Sequence, residues 1–168
     1  GLRVGEIRSG PECPLRSRRS HGPFSGRFRF LGRFARRLWG HSAETINYVS
    51  CHDDLSLVDK LRASAPEGMT EEELVRFDKL AQTVVLTAQG IPSLFAGEEM
   101  LRTKGGVSNS HDSPDRVNRI DWSFKADHKD VFDYYRGLIA LRRTHPAFRL
   151  ATAAEIERHL RFLDTGDT

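Results

Sequence analysis

A His-Asp pair at residues 52 and 53 directly follows a short run of strand-forming residues. The run covers residues 46–51, and its length and apolar content are typical of a buried β-strand. Parallel α/β folds hold their ligands at the carboxyl ends of the strands. Asp and His at such an end can bind hydroxyl groups or transfer protons. His52 and Asp53 are therefore predicted to form one edge of an active site.

The segments after this pair alternate between helix and strand signals. Apolar spacing predicts a helix over residues 55–61, and Thr70 followed by Glu73 predicts a capping box that opens a helix over residues 71–89. A second apolar run at residues 91–96 resembles a strand. A long polar loop over residues 103–123 follows, and helices are predicted over residues 129–144 and 152–160. Thr152 followed by Glu155 predicts a second capping box at the start of the last helix. Apart from the short helical stretch at residues 55–61, the order is strand, helix, strand, helix, helix. This order indicates a βαβα unit of a parallel sheet, which needs further strands beside it.

The two long helices each carry a stripe of apolar residues that we expect to face the core. In the first the stripe comprises Leu74, Phe77, Leu80, Ala81, Val84, Val85 and Ala88. In the second it comprises Phe132, Tyr135, Leu138, Ile139 and Leu141.

Charge divides the chain into two parts, although the net charge of all 168 residues is only +3. Residues 1–43 contain ten Arg, no Lys and two Glu, whereas residues 44–168 carry an excess of acidic residues. The basic part is open to three interpretations: a loosely attached segment, an arm that binds nucleic acid, or an out-of-frame translation. Cys13 and Cys51 do not form a disulfide framework or a zinc-ligand set, and no apolar run is long enough to span a membrane.

Four motifs in residues 45–163 resemble those of one enzyme family, with their order and spacing kept. They are Tyr-Val-Ser-Cys-His-Asp at residues 48–53, Gly-Ile-Pro-Ser-Leu-Phe-Ala-Gly-Glu-Glu at 90–99, the loop at 109–122, and the segment at 134–149. They are similar to motifs of type I pullulanases, which are debranching glycoside hydrolases of the α-amylase superfamily. The resemblance implies an α/β fold that is part of a (β/α)₈ barrel, with strands seven and eight and their helices.

The same resemblance assigns expected roles to individual residues. Asp53 matches the third catalytic carboxylate of the family, and His52, Asp115 and Arg119 match residues that bind the glucan. Glu98 and Glu99 are expected to hold the barrel rim. Trp122 could stack on the face of a sugar, but a position in the core is the expected one. The family implies hydrolysis of α-1,6-glucosidic bonds with retention, in pullulan, branched dextrins or glycogen, with no cofactor and no metal ion. The expected partners are an α-glucan and the remainder of the barrel, with neither a membrane nor a nucleic acid among them.

The sequence also departs from the family pattern. Asp54 stands where the family usually has Asn, and His111-Asp112 replaces a common Tyr-Asn. The strand-four nucleophile and the strand-five acid/base have no counterpart in these 168 residues. Because retaining glycosidases need both carboxylates, the chain alone is predicted to be inactive.

Two further hypotheses come from other functional classes. His52-Asp53 and His111-Asp112 could together bind the metal of a phosphohydrolase, and residues 1–43 could bind nucleic acid. We expect two regions, an arginine-rich segment at residues 1–43 and the C-terminal part of a catalytic barrel at residues 44–168. The sequence does not indicate a cellular compartment.

Overall fold

The computed structural model describes residues 44–161, so the basic segment at residues 1–43 lies outside the described residues. The described part is a mixed α/β structure with more helix than strand. Its main elements, in chain order, are β1 (Ile46–Asn47), α1 (Leu57–Ser64), α2 (Glu71–Thr87), β2 (Ile91–Pro92), α3 (Asp115–Asn118), α4 (Phe124–Asp127), α5 (Lys129–Thr144) and α6 (Ala153–His159). Short 3₁₀ turns lie at Glu98–Met100 and Pro146–Arg149.

β1 and β2 pair in parallel, with Ile46 opposite Ile91. The parallel pairing confirms the predicted βαβ connection through α1 and α2. Both strands are much shorter than predicted, because the backbone ladder ends where Ser93 N donates to Asn47 O. Beyond that point the Glu98 carboxylate links the two segments, because it accepts from both Ser50 Oγ and Phe95 N. Hydrogen bonds to this side chain thus replace the longer backbone ladder that was expected.

The two predicted capping boxes are present. Thr70 and Glu73 form one at the start of α2, and Thr152 and Glu155 form the other at the start of α6. The reciprocal bonds satisfy backbone N–H groups that the first helical turn leaves without partners. These signals correctly located the amino-terminal ends of both helices.

Arg142 ties the end of α2 to α5. Its guanidinium donates to the carbonyls of Leu86, Ala88 and Gly90, at 2.6–2.9 Å. Gly90 has a φ of +103°, and a Cβ there would lie 2.2 Å from the side chain of Thr45. Glycine is therefore required where the chain turns from α2 into β2.

The core of residues 44–161 includes two small apolar clusters. One joins α1 to α2 through Leu57, Val58, Leu61 and Leu74, with Val49, Met69, Phe77 and Ala81 packed around it. The other joins α5 to the segment after β2 through Leu101, Val131 and Tyr135, with Val75 beside them. No helix within residues 44–161 has the length and apolar character needed to cross a membrane.

Several residues predicted to be buried are exposed. Trp122 is 66% exposed, so the prediction that it lies in the core is wrong for this structure. Four residues of the apolar stripes, Leu80, Val84, Ile139 and Leu141, are 38–57% exposed. These four side chains are therefore not fully covered by the elements within residues 44–161. The predicted loop at residues 103–123 also contains the short helix α3, which starts at Asp115.

Candidate functional site

The His52-Asp53 pair lies in a bend five residues beyond β1. The ring nitrogen Nε2 of His52 is 3.4 Å from Oδ1 of Asp53, and both side chains are largely exposed. The next residue, Asp54, has a φ of +62°, in the left-handed region that few residues other than Gly and Asn occupy readily. The chain bends at residues 52–54, and both side chains of the pair are open to solvent.

The buried side chain of Lys104 donates a hydrogen bond to the backbone of this bend. The ammonium Nζ of Lys104 donates to the carbonyl of His52 at 3.2 Å and to that of Ser108 at 3.4 Å. Although its side chain carries a charge, the residue is only 2% exposed. Burial and the nearby Arg102 lower the pKa of Lys104, whereas Asp54, Asp59 and Asp53 act in the opposite direction. Lys104 thus supplies a buried positive charge close to the predicted catalytic carboxylate.

Asp59 fixes the loop that carries Lys104. Its buried carboxylate accepts from the hydroxyls of Ser56 and Thr103 and from the backbone N–H of Lys104. Burial alone would raise the pKa of Asp59, but these hydrogen bonds together hold it below its ordinary value. The start of α1 and the loop after β2 are therefore joined through one ionised carboxylate.

Further buried polar contacts link α2 to α5 and to the segment that follows β1. Gln82 Nε2 donates to Glu98 Oε2 at 2.8 Å, Ser50 Oγ donates to Glu98 Oε1, and Tyr135 Oη donates to Asp78 Oδ1 at 2.7 Å. Burial raises the pKa of both Asp78 and Glu98 to about 7. Oδ2 of Asp78 and Oε1 of Gln82 are buried without a hydrogen-bond partner within the described structure. The contacts of Glu98 agree with its predicted structural role, and Glu99 accepts from the N–H of Gly97.

Asp115 and Arg119 lie at the two ends of α3 and are exposed. The guanidinium Nη2 of Arg119 is 3.5 Å from Oδ2 of Asp121. The backbone N–H of Arg119 donates to the Asp115 carbonyl at 2.7 Å. Within residues 44–161, no ion pair or hydrogen bond links either residue to the His52-Asp53 bend. Asn118 ties the loop down, because its amide donates to the carbonyls of Ser110 and Ser113.

Cys51, His52 and Asp53 form a set of side chains that could hold a metal ion, with ligand atoms within 4.8 Å of one another. The second His-Asp pair does not extend this set in the described structure: His111 Nδ1 instead lies 2.9 Å from Asn109 Oδ1. A cavity of about 400 Å³ lies elsewhere, between α1, α2 and α4, and none of the predicted site residues lines it.

Lys104, Asp59 and Ser50 were not predicted as parts of the site. Lys104 lies in a polar loop next to two glycines, where a lysine is usually exposed to solvent. Asp59 follows Ser56 by three residues, which indicates only a helix cap. No feature of the sequence reveals that both residues contact elements more than forty positions away.

Known proteins provide an independent comparison. No family model matches the chain. Over 121 residues, or 72% of the chain, it is 42% identical to the pullulanase of Bacillus subtilis strain 168, of which the match covers 17%. The structure superposes on the pullulanase from Bacillus acidopullulyticus with a TM-score of 0.76 and 49% identity, over 79% of this chain and 16% of that one. A mutant pullulanase from Paenibacillus barengoltzii complexed with maltotetraose gives a TM-score of 0.73 and 51% identity, over 75% of this chain and 19% of that one.

These matches confirm the resemblance inferred from the motifs. The chain spans less than one fifth of the length of each of these relatives. On the strength of sequence identity and backbone similarity together, the chain belongs to the pullulanase family.

Proposed function

We propose that residues 44–168 are the C-terminal part of the catalytic barrel of an α-1,6-debranching glycoside hydrolase. In this proposal β1 and β2 are its seventh and eighth strands. The main support is the position of His52 and Asp53 just beyond β1, in a segment whose backbone superposes on pullulanases. The parallel pairing of β1 with β2, through two intervening helices, also agrees with a piece of such a barrel.

Asp53 would act as the third carboxylate of a retaining mechanism. Glycosidic cleavage passes through an oxocarbenium-like sugar, and hydrogen bonds to the ring hydroxyls strengthen in that state. A carboxylate is a strong acceptor for such bonds, and His52 can donate from the adjacent position. The contact from Lys104 to the His52 carbonyl would limit movement of the bend during the reaction.

Asp115 and Arg119 would bind glucosyl units next to the cleaved bond. Both side chains are exposed and can be reached by a polysaccharide. The ligand class is an α-glucan, which agrees with the maltotetraose complex of the Paenibacillus relative. The long ion-pair distance between Arg119 and Asp121 leaves the guanidinium able to turn toward a ligand.

The remainder of the barrel, with the nucleophile and the acid/base, would have to come from outside these 168 residues. Apolar side chains that are exposed in the described residues support the view that further barrel elements cover this sheet. Ile46 and Ile91 lie opposite each other in the sheet and are about half exposed, at 51% and 46%. Two parallel strands are normally covered on both faces, so further elements are expected to cover these residues.

A hybrid enzyme tests the proposal. The segment of the Bacillus subtilis pullulanase that matches this chain is replaced by the corresponding residues of this chain, and reducing-sugar release from pullulan is measured. We expect the hybrid to hydrolyse pullulan and Asp53→Asn to reduce kcat at least ~100-fold, because it removes an acceptor that acts in the transition state. Asp127→Asn, an exposed residue at the end of α4, is the matched control and should retain activity.

Two results would count against the proposal. A folded hybrid in which Asp53→Asn and Asp127→Asn have equal activity would exclude the catalytic role of Asp53. Turnover of pullulan by the 168-residue chain alone, lost in Asp53→Asn, would contradict the predicted need for the remaining carboxylates.

A further inference from the structure

Three metal-binding side chains converge in the bend after β1. A sulfur from Cys51, a ring nitrogen from His52 and a carboxylate oxygen from Asp53 lie within 4.8 Å of one another. Consecutive side chains on an extended strand point to opposite faces, so a straight continuation of β1 would separate them. The chain bends at residues 52–54 instead of continuing the strand, and the Cys51 thiol donates to the Asp53 carbonyl at 3.6 Å. The backbone thus brings together three ligands that are adjacent in the sequence.

An ion in solution can reach all three side chains. The side chains of His52 and Asp53 are 83% and 60% exposed, and Cys51 is half-buried. Among the described residues, the charges of Asp53 and Asp54 both act on the buried Lys104, which contacts the bend. The Lys104 ammonium donates to the backbone carbonyls of His52 and Ser108. Within residues 44–161, this ammonium therefore bonds to backbone oxygens and not to the ligand atoms of the trio.

We propose that Cys51, His52 and Asp53 form a binding site for a divalent transition metal ion of the Zn²⁺ and Co²⁺ type. A thiolate, an imidazole and a carboxylate are a ligand set that these ions take, whereas Mg²⁺ and Ca²⁺ prefer oxygen alone. Bond lengths of 2.0–2.3 Å place tetrahedral ligands ~3.5 Å apart. Rotations of the exposed His52 and Asp53 side chains toward the half-buried Cys51 would close the present separations, which lie within 4.8 Å, to that distance. The fourth position stays open to water.

The bound ion is not part of the proposed hydrolysis. It would occupy the carboxylate of Asp53 and so exclude any other ligand from it. The metal site stands on the geometry of the trio alone, whether or not this chain acts on a glucan.

Cobalt titration of the full 168-residue chain tests the site. The chain carries Cys13→Ser, so that Cys51 supplies the sole thiol, and it is titrated with Co²⁺ alone. We expect saturable binding at one equivalent, with a thiolate-to-cobalt charge-transfer band in the near ultraviolet that Zn²⁺ removes by competition. The band should strengthen as pH rises, because the thiol must lose its proton to bind the ion.

Substitutions identify the ligands. Cys51→Ser should remove the band and weaken binding at least ~10-fold, and His52→Ala and Asp53→Asn should each weaken binding to a similar degree. His111→Ala, in the other His-Asp pair, is the matched control and should leave the titration unchanged. Circular dichroism of each variant establishes that it folds as the parent chain does. As a second readout, Zn²⁺ should slow alkylation of Cys51 by iodoacetamide in the parent chain and not in His52→Ala.

Absence of saturable Co²⁺ binding by the folded parent chain overturns the proposal. So does a charge-transfer band that survives in Cys51→Ser, or a His111→Ala variant that loses as much affinity as His52→Ala.

Discussion

At the scale of single residues, Lys104 connects the bend at His52 and Asp53 to the loop after β2. It is almost fully buried, and its ammonium donates to backbone carbonyls on both sides of that connection. Charged lysines are rarely buried unless they are paired. Here the carbonyls and the carboxylates of Asp53, Asp54 and Asp59 offset part of the loss of water, and burial still lowers the pKa of Lys104. Lys104 is thus a positioning residue for the bend.

Lys104→Met should destabilise the chain and loosen the bend. The variant keeps the apolar stem but leaves two carbonyls without their donor, which costs about 1–3 kcal/mol in the free energy of unfolding. Urea unfolding of the chain measures this change. Lys129→Met is the matched control, because Lys129 is exposed and pairs only with Asp133 on the same helix within the described structure. In the hybrid enzyme Lys104→Met should lower kcat more than it raises KM, whereas equal stability of the two variants would contradict the role.

Asp54 has a left-handed backbone conformation, with a φ of +62°. Asn adopts positive φ more readily than most residues do. We expect Asp54→Asn to be at least as stable as the parent chain and Asp54→Ala to be less stable by ~1 kcal/mol. Thermal unfolding measures both midpoints. An alanine variant as stable as the asparagine variant would show that the bend does not need this backbone conformation.

At the scale of elements, the buried carboxyls of Asp78 and Glu98 join α2 to α5 and to the segments that follow β1 and β2. Asp78 accepts from Tyr135 of α5, and Glu98 accepts from Gln82 of α2 and from Ser50. The unpartnered Oδ2 of Asp78 and Oε1 of Gln82 lie one helical turn apart in sequence. A proton on Asp78 would supply the donor that these two oxygens lack.

Stability should therefore fall as pH rises from about 4 to about 7. The pKa of Asp78 and Glu98 is raised to about 7 from ordinary values of 3.8 and 4.5, so the folded chain binds these protons more tightly than the unfolded one. Their contribution is fully present below the ordinary values of 3.8 and 4.5, and it is lost as the pH rises from there to about 7. The lowered pKa of Asp59 has the opposite effect, but below its ordinary value of 3.8.

Asp78→Asn separates this effect from other titrations. The amide stays neutral at every pH. We therefore expect the free energy of unfolding of the variant to fall less between pH 5 and pH 8 than that of the parent chain. At pH 8 the variant should be more stable by on the order of 1–3 kcal/mol. Urea unfolding at pH 5 and pH 8 measures the difference. Asp127→Asn, which is exposed, should leave the slope unchanged. A parent chain with equal stability at pH 5 and pH 8 would refute the prediction that Asp78 and Glu98 bind their protons more tightly in the folded state.

The elements differ in how well the sequence predicts them. Helices α2, α5 and α6 were located correctly, because capping boxes and apolar spacing act within a few residues of one another. The strands were predicted too long, since their length depends on whether a partner backbone lies opposite, and here Glu98 replaces it. Contacts between distant residues, such as Lys104 with His52 or Tyr135 with Asp78, leave no local pattern. The His52-Asp53 bend could be predicted as a candidate site, but the groups that support it could not.

At the scale of the whole molecule, the described chain exposes apolar surface on its sheet and on its longest helix. Ile46 and Ile91 form one patch, and Leu80 and Val84, one turn apart on α2, form another. A two-stranded parallel sheet also leaves backbone N–H and C=O groups open on both edges. Such surfaces promote association in an isolated chain and are covered in a complete barrel.

Replacing both isoleucines with lysine should therefore have opposite effects in the two settings. In the isolated chain, Ile46→Lys with Ile91→Lys should reduce concentration-dependent self-association, measured by sedimentation velocity, because charge opposes burial of the sheet face. In the hybrid enzyme the same pair should lower stability by several kcal/mol, because two charges would be buried without partners. Leu160→Lys, an exposed apolar residue that follows α6, is the matched control and should do neither. A hybrid that tolerates the double substitution would mean that this face of the sheet stays open to solvent, and that the described strands do not complete a barrel.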